Sequence, residues 1–269
     1  LTSAVSLANQ GMEVILIEQK AAVGGSMVKV GKVFSPEKLT EDCAACLLNP
    51  VISEMIQHEN IRLLTNTTLE KSERRSGNFD VMLSKKPVYV DPYKSTSCGR
   101  CTAVCPTIVP DDWNEELITR KAIYKPFPQA VPSTYTLDDE NCIKCGACLK
   151  VCPTDAINLD AINDVISETV GSIVIATGHQ RYDTSQRPEY GHELYDDVIN
   201  QMELARIMGV NGPTEGKLLV PSTGKVPRRV VMIQCVGSRD QMPGGHKYCS
   251  KVCCMIALKH ANLIRSHYP

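Results

Sequence analysis

Net charge is nearly absent from this sequence, with 29 Lys and Arg against 30 Asp and Glu. That balance argues against a dedicated nucleic-acid binder, which concentrates basic charge. No apolar run approaches the roughly 20 residues needed to cross a bilayer as a helix. No secretory leader is visible either, although the chain starts at Leu1 rather than Met, so its natural start is expected to lie upstream. The six histidines are scattered without ligand spacing, and no nucleophile–base set can be read. Chemistry is therefore expected from bound cofactors, which the protein positions and tunes. At 269 residues the chain is long enough for two domains with cores of their own.

What the sequence does have is cysteine, thirteen in all. An odd number packed into clusters fits metal ligation in a reducing compartment, the cytoplasm, better than a secreted disulfide framework. Cys142, Cys145, Cys148 and Cys152 are followed by Pro153, giving C-x2-C-x2-C-x3-C-P. This is the spacing by which bacterial-type ferredoxins hold [4Fe–4S] clusters: three thiolates converge from one tight loop, and the fourth reaches a different cluster. A zinc ribbon would want paired C-x2-C knuckles instead. An altered copy lies upstream as Ser95, Cys98, Cys101, Cys105 and Pro106, with serine in the first ligand slot. Exchange between the copies predicts one cluster on Cys142, Cys145, Cys148 and Cys105, and another on Cys98, Cys101 and Cys152 with its fourth ligand open. Serine there leaves three outcomes: a [3Fe–4S] centre, an oxygen-ligated iron, or rescue by a cysteine elsewhere. The Pro-rich segment between the copies, which carries Trp113, is longer than a plain ferredoxin needs and is expected to hold a short helix or loop.

The flanks read as α/β. Leu1–Gly11 has helical apolar spacing ending on a C-cap glycine, and Met12–Glu18 is a short apolar strand ending in an acid. This is the second half of a βαβ dinucleotide-binding unit, in which such a carboxylate takes the ribose hydroxyls; its Gly-rich turn would precede Leu1. Gly24–Gly25 suits close approach of backbone to a pyrophosphate. Val170–Gly178 reads as a buried strand ending in Ala176–Thr177–Gly178, which resembles the second flavin-contacting motif of thioredoxin-reductase-like flavoproteins. Ile61–Leu64 and Phe79–Leu83 read as strands flanking a polar turn at Arg75–Asn78, and Lys86–Val90 leads into the cysteine region. Val230–Gln234 reads as a strand opening a second Rossmann-like unit, with Cys235 where a phosphate-binding glycine turn would follow. The expected organisation is an FAD-binding Rossmann domain (1–94 and 156–190), an inserted two-cluster ferredoxin domain (95–155), and the start of a second nucleotide-binding-like domain (191–269).

The combination resembles the iron–sulfur flavoprotein component (the A subunit) of heterodisulfide reductase from methanogenic archaea and related anaerobes. The resemblance rests on Asp42–Cys46, Arg120–Tyr124, Gln129–Pro132, Ile175–Gly178, Gly212–Thr214, Gln234–Asp240 and Tyr248–Cys254, so it runs through essentially the whole chain. It implies FAD contacts at Glu18, Gln19, Lys20, Gly24, Gly25, Ser26, Leu69, Ala176, Thr177 and Gly178. It also implies a further [4Fe–4S] cluster on Cys235, Cys249, Cys253 and Cys254, which the local density of thiols favours over a set of buried free cysteines. Cys43 and Cys46 form an isolated C-x2-C, open to a redox dithiol or to half of a shared metal site.

The function implied is that of an oxidoreductase component that bifurcates electrons at FAD between ferredoxin and the coenzyme M–coenzyme B heterodisulfide. Its implied partners are the other reductase subunits, a hydrogenase or formate dehydrogenase input module, and ferredoxin, with a homodimer inside the larger complex. Two alternatives stay open. One is a non-bifurcating relay in a quinone- or sulfur-linked complex. The other is a pyridine-nucleotide oxidoreductase like the small subunit of glutamate synthase, which would need a glycine turn where Cys235 stands.

Overall fold

The computed structural model describes residues 1–34 and 41–268. In chain order the helices are α1 (Thr2–Ala8), α2 (Ala44–Gln57), α3 (Arg100–Val104), α4 (Ala147–Val151), α5 (Gln201–Ile207) and α6 (Cys253–His267). The strands are β1 (Val14–Ile17), β2 (Lys32–Phe34), β3 (Glu41–Cys43), β4 (Ile61–Leu64), β5 (Thr67–Arg75), β6 (Asn78–Lys85), β7 (Ile108–Pro110), β8 (Thr119–Lys121), β9 (Ile123–Tyr124), β10 (Thr136–Leu137) and β11 (Asp164–Val170). The chain divides into two units, Leu1–Gly24 with Leu48–Thr177, and Gly25–Leu47 with Gly178–Pro269. No described helix is long and apolar enough to cross a membrane.

In the first unit α1 leads into β1, which pairs in parallel with β4 from Val14↔Ile61 to Ile17↔Leu64. Branched apolar residues on both strands suit a parallel pair covered by helix. Val5, Val23, Ile52 and Met55 form the core here, with Leu16, Ile61 and Leu63 packed against it. Each such side chain, fully buried, contributes roughly 1.5–3 kcal/mol. The helix ends earlier than the sequence suggested: α1 is capped at Asn9, and Gly11 adopts a left-handed φ of 84° before β1.

Beyond β4 the structure corrects the expected strand order. Thr67–Arg75 is itself a strand, so β5, not β4, precedes the turn. Ser76 (φ 50°) and Gly77 (φ 91°) give the positive dihedrals that close a tight hairpin onto β6. β11 adds on the other side of β6, giving an antiparallel sheet ordered β11-β6-β5. The strand expected over Val170–Gly178 is not formed, and β11 at Asp164–Val170 lies one stretch earlier. Val170 pairs with Phe79 and ends the ladder, and Ile175 beyond it is 81% exposed. An extended run without a hydrogen-bonded neighbour has nowhere to place its amides and does not form a strand.

Between the two cysteine repeats lie the β7–β8 hairpin, a 3-10 turn at Asp112–Asn114 and the β9–β10 pair, so the segment holds strand pairs beyond the short helix or loop expected there. Asp111 caps that turn by accepting from the Trp113 amide at 3.0 Å and from Asn114 Nδ2 at 2.7 Å. Trp113 stacks on Phe127 with centroids 4.5 Å apart. Val90 bridges to Ile157, tying the segment that enters this region to the one that leaves it.

In the second unit β2 and β3 pair antiparallel, and α5 begins with a reciprocal cap between Asn200 and Glu203. Arg206 donates to the carbonyls of Lys29 and Asn211, and Lys259 on α6 to that of Lys32. The strand expected at Val230–Gln234 is not formed: no described strand pairs with it, and Val231 is 85% exposed. Cys253 and Cys254 open the helix α6, Cys253–His267.

Candidate iron–sulfur and flavin sites

The two cysteine repeats fold alike. In each a loop with one left-handed residue (Ser97 φ 52°, Lys144 φ 51°) is followed by a left-handed glycine (Gly99 φ 79°, Gly146 φ 73°) that starts a short helix. Cys101 on α3 and Cys148 on α4 are buried in one core with Val90, Ile123, Ala156 and Ile157, and Cys105 and Cys152 pack against it. Cys98, Cys101 and Cys152 line a single recess together with Ser95. The last cysteine of the second repeat thus faces the ligands of the first, as the exchange pattern requires.

Hydrogen bonds in these loops point at the ligand atoms. The Lys144 amide donates to Cys142 Sγ at 3.4 Å, and the Ala156 amide to Cys152 Sγ at 3.3 Å. The Arg100 amide and the Thr96 hydroxyl lower the Cys98 thiol below its usual range. Burial pushes Cys152 up, but the Thr154 and Ala156 amides outweigh it and the thiol is lowered. Burial raises Cys101 and Cys148, the two sulfurs set deepest in the core. Amide donors favour the thiolate that ligates iron and stabilise cluster charge, so the donor set fits a pair of cubanes. Among the described residues no three His, Cys, Asp or Glu side chains are grouped to hold a single metal ion. Thiolates that share one cubane are spread over four irons and lie farther apart than that.

The second unit carries a third cysteine group with the same local backbone geometry. The Lys251 amide donates to Cys249 Sγ at 3.3 Å, and Lys251 has φ 61°. Cys249-Ser250-Lys251 thus repeats the geometry of Cys142-Ile143-Lys144. Cys235 is brought to it by backbone pairing, because Arg239 donates to Tyr248 O and His246 to Gly237 O. Cys253 opens α6 and is lowered, chiefly by a hydrogen bond from Ser250. Cys254 is raised by the neighbouring charges of Cys253, Cys235 and Cys249, which places all four thiols in one neighbourhood.

Cys43 immediately precedes α2 and is exposed. The amides of Cys46 and Ala45 point at it and lower its thiol, while its hydrogen bond to Cys46 raises the second one. Both are oriented to present sulfur outward, as a dithiol or as two ligands of an incomplete site.

The dinucleotide residues are placed as follows. Glu18 directly follows β1, takes the Lys20 amide on Oε1 at 2.9 Å, and its own backbone pairs with Leu64 and Thr67. Gln19 and Lys20 are exposed beside it. Gly24 (φ 122°) and Gly25 (φ 56°) hold conformations that favour glycine, and a Cβ at Gly25 would meet nothing within 4 Å. Ser26 is exposed in the 3-10 turn that Gly25 opens. Leu69 stands at the bulge of β5, and Ala176, Thr177 and Gly178 are exposed beyond β11. An acid just after a parallel strand suits a ribose, and left-handed Gly25 with nothing within 4 Å of its Cβ position suits a pyrophosphate.

Sequence reasoning missed the amide donors Ser97, Lys144 and Lys251 and the hydroxyls of Thr96, Thr154 and Ser250. The repeat of Cys-x-Lys at Cys142 and Cys249 was the readable signal for two of them.

Residues 95–157 match the model of the 4Fe-4S dicluster domain. The whole chain is 42% identical to the A subunit of the ferredoxin:CoB-CoM heterodisulfide reductase of Methanosarcina acetivorans, covering 37% of that protein. It is 45% identical to the iron-sulfur A subunit of the CoB--CoM heterodisulfide reductase of Methanocaldococcus jannaschii, covering 40%. It is also 45% identical to the A subunit of the H(2)/formate:CoB-CoM heterodisulfide,ferredoxin reductase of Methanococcus maripaludis, again covering 40%. The chain thus spans about two fifths of the length of these relatives and is similar to their A subunits along its whole length.

Proposed function

We propose that this chain is the flavin- and cluster-bearing part of the A subunit of a heterodisulfide reductase, an oxidoreductase component that passes electrons between a donor module, ferredoxin and a disulfide. The observation that carries this reading is the recess in which Cys152 joins Cys98, Cys101 and Ser95, because it makes two adjoining cluster sites out of two repeats. The twin site takes Cys142, Cys145, Cys148 and Cys105. A third cluster is held by Cys235, Cys249, Cys253 and Cys254, and Cys43 with Cys46 supply half of a fourth shared with residues outside this chain.

FAD is held through Glu18, Gln19, Lys20, Gly24, Gly25, Ser26, Leu69, Ala176, Thr177 and Gly178, in a Rossmann domain of residues 1–94 and 156–190. The cluster domain at 95–155 is inserted into it, and residues 191–269 begin a second nucleotide-binding-like domain. Bound flavin supplies the exchange between two-electron and one-electron traffic, and the clusters carry single electrons onward. The division of electrons between ferredoxin and the coenzyme M–coenzyme B heterodisulfide is supported by the names of the relatives, which couple the heterodisulfide to ferredoxin, hydrogen or formate. The partners are the remaining reductase subunits and a hydrogenase or formate dehydrogenase module, assembled as a dimer in the reducing cytoplasm.

The test is the native complex purified with its partner subunits. Heterodisulfide and ferredoxin should be reduced together from hydrogen or formate, and Glu18→Ala should uncouple the two and lower flavin content while iron stays. Reduction by NADH or NADPH at catalytic rates, with flavin content unaffected by Glu18→Ala, would overturn the reading.

A further inference from the structure

The first repeat departs from the second at one ligand position, and the structure shows what stands there. The Ser97 amide donates to Ser95 Oγ at 3.3 Å, as the Lys144 amide donates to Cys142 Sγ at 3.4 Å. The donors carry nearly the same left-handed φ, 52° and 51°. Ser95 Oγ therefore occupies the slot of a ligand sulfur, in a loop folded as if sulfur were there. Ser95 is half-buried and lines the same recess as Cys98, Cys101 and Cys152.

The other side-chain oxygens around that recess are engaged elsewhere: Tyr135, which also lines it, is hydrogen-bonded with Thr102. Its only lining cysteines are those three. The Thr96 hydroxyl is turned to Cys98, and Thr154 Oγ1 lies 3.9 Å from Cys152 Sγ. Ser97 Oγ donates to Ser133 O at 2.6 Å. Ser95 is left as the oxygen at the fourth corner.

We infer that the cluster of the first repeat is a [4Fe–4S] centre whose fourth iron is bound by Ser95 Oγ, making the two clusters of this domain chemically unequal. The inference rests on the reading of residues 95–157 as a cluster-binding domain. On binding, the hydroxyl gives its proton to solvent and the oxygen takes the place of a thiolate. Oxygen is a harder ligand than sulfur and favours ferric iron, so this cluster has the lower reduction potential of the two. Its all-thiolate twin on Cys142, Cys145, Cys148 and Cys105 then accepts an electron first, and the Ser95 cluster is filled only by a stronger reductant. One residue would set the order of filling within the pair.

The experiment uses the full 269-residue chain, reconstituted anaerobically with iron and sulfide, as wild type, Ser95→Cys and Ser95→Ala. Redox titrations followed by electron paramagnetic resonance and Mössbauer spectroscopy resolve each cluster, and Cys98→Ala identifies the signal of the first. The wild type should hold an intact four-iron cluster at that site. Ser95→Cys should raise its potential while the twin stays put, and Ser95→Ala should convert it to the oxidised-state signal of a [3Fe–4S] centre. A wild type that already shows the three-iron signal, or a potential unmoved in Ser95→Cys, overturns the inference and leaves the cluster domain standing. Failure of Cys145→Ala to remove any cluster signal would instead overturn the domain reading, and this inference with it.

Discussion

Arg187 places Nε 2.9 Å and Nη2 2.5 Å from one oxygen of Asp240, and its Nη1 donates to the carbonyls of Gln186 and Pro243. The guanidinium fork thereby holds the turn from Ser238 to Pro243. That turn carries the backbone pairing which sets Cys235 beside Cys249. Arg187→Met should lose about four irons per chain, one cubane, from the site in the second unit and none from the inserted domain. Iron analysis with site-resolved spectra checks this. The Met242 amide and Arg187 hold the Asp240 carboxyl below its usual range. A carboxyl lowered by folding contributes stability above its unfolded value, lost only as pH falls through the lowered one. The loop should therefore be indifferent to pH from 8 down to about 4.

His260 on α6 sits at 1% exposure with Nδ1 2.5 Å from Gln201 Oε1, and burial with Lys259 beside it lowers its pKa to about 3. The folded chain keeps this imidazole neutral, whereas the unfolded chain protonates it below about 6.5. Stability should fall as pH drops from 6.5 toward 3, at up to about 1.4 kcal/mol per pH unit from this group. Denaturant midpoints between pH 5 and 7 should show the slope in wild type and a shallower one in His260→Gln.

Exchange of ligands between the repeats makes a pairing prediction. Cys152→Ala should abolish the same spectroscopic signal as Cys98→Ala, and Cys105→Ala the same one as Cys145→Ala. A signal shared by Cys152 and Cys145 would mean that each repeat holds its own cluster. Cluster-resolved redox titration separates the cases.

The cluster domain was legible because thiolate geometry writes itself into spacing: two-residue gaps and Cys-Pro survive in sequence whatever surrounds them. The strands β1 and β4 were legible for a similar reason, as short apolar runs with clear ends. β5 was not, because Thr67–Arg75 carries a single large apolar residue, Leu69, amid charge. It is a strand through its ladder to β6, a contact made across the Ser76–Gly77 turn. Val230–Gln234 shows the converse, a strand-like composition without a pairing neighbour. The amides that reach Ser95, Cys142 and Cys249 depend on positive φ at Ser97, Lys144 and Lys251, and lysine gives no compositional hint of such a turn.

The central claim is that one chain combines flavin with several iron–sulfur clusters. Its most direct test is the iron, acid-labile sulfide and flavin content of the natively isolated protein, per chain. The account predicts one FAD and, from the cysteines of these 269 residues, about 12 irons with matching sulfide, three cubanes of four irons each, in addition to any cluster completed by Cys43 and Cys46 or held by the rest of the natural protein. A chain isolated with zinc in place of iron and sulfide, or with full iron and no flavin, would contradict it.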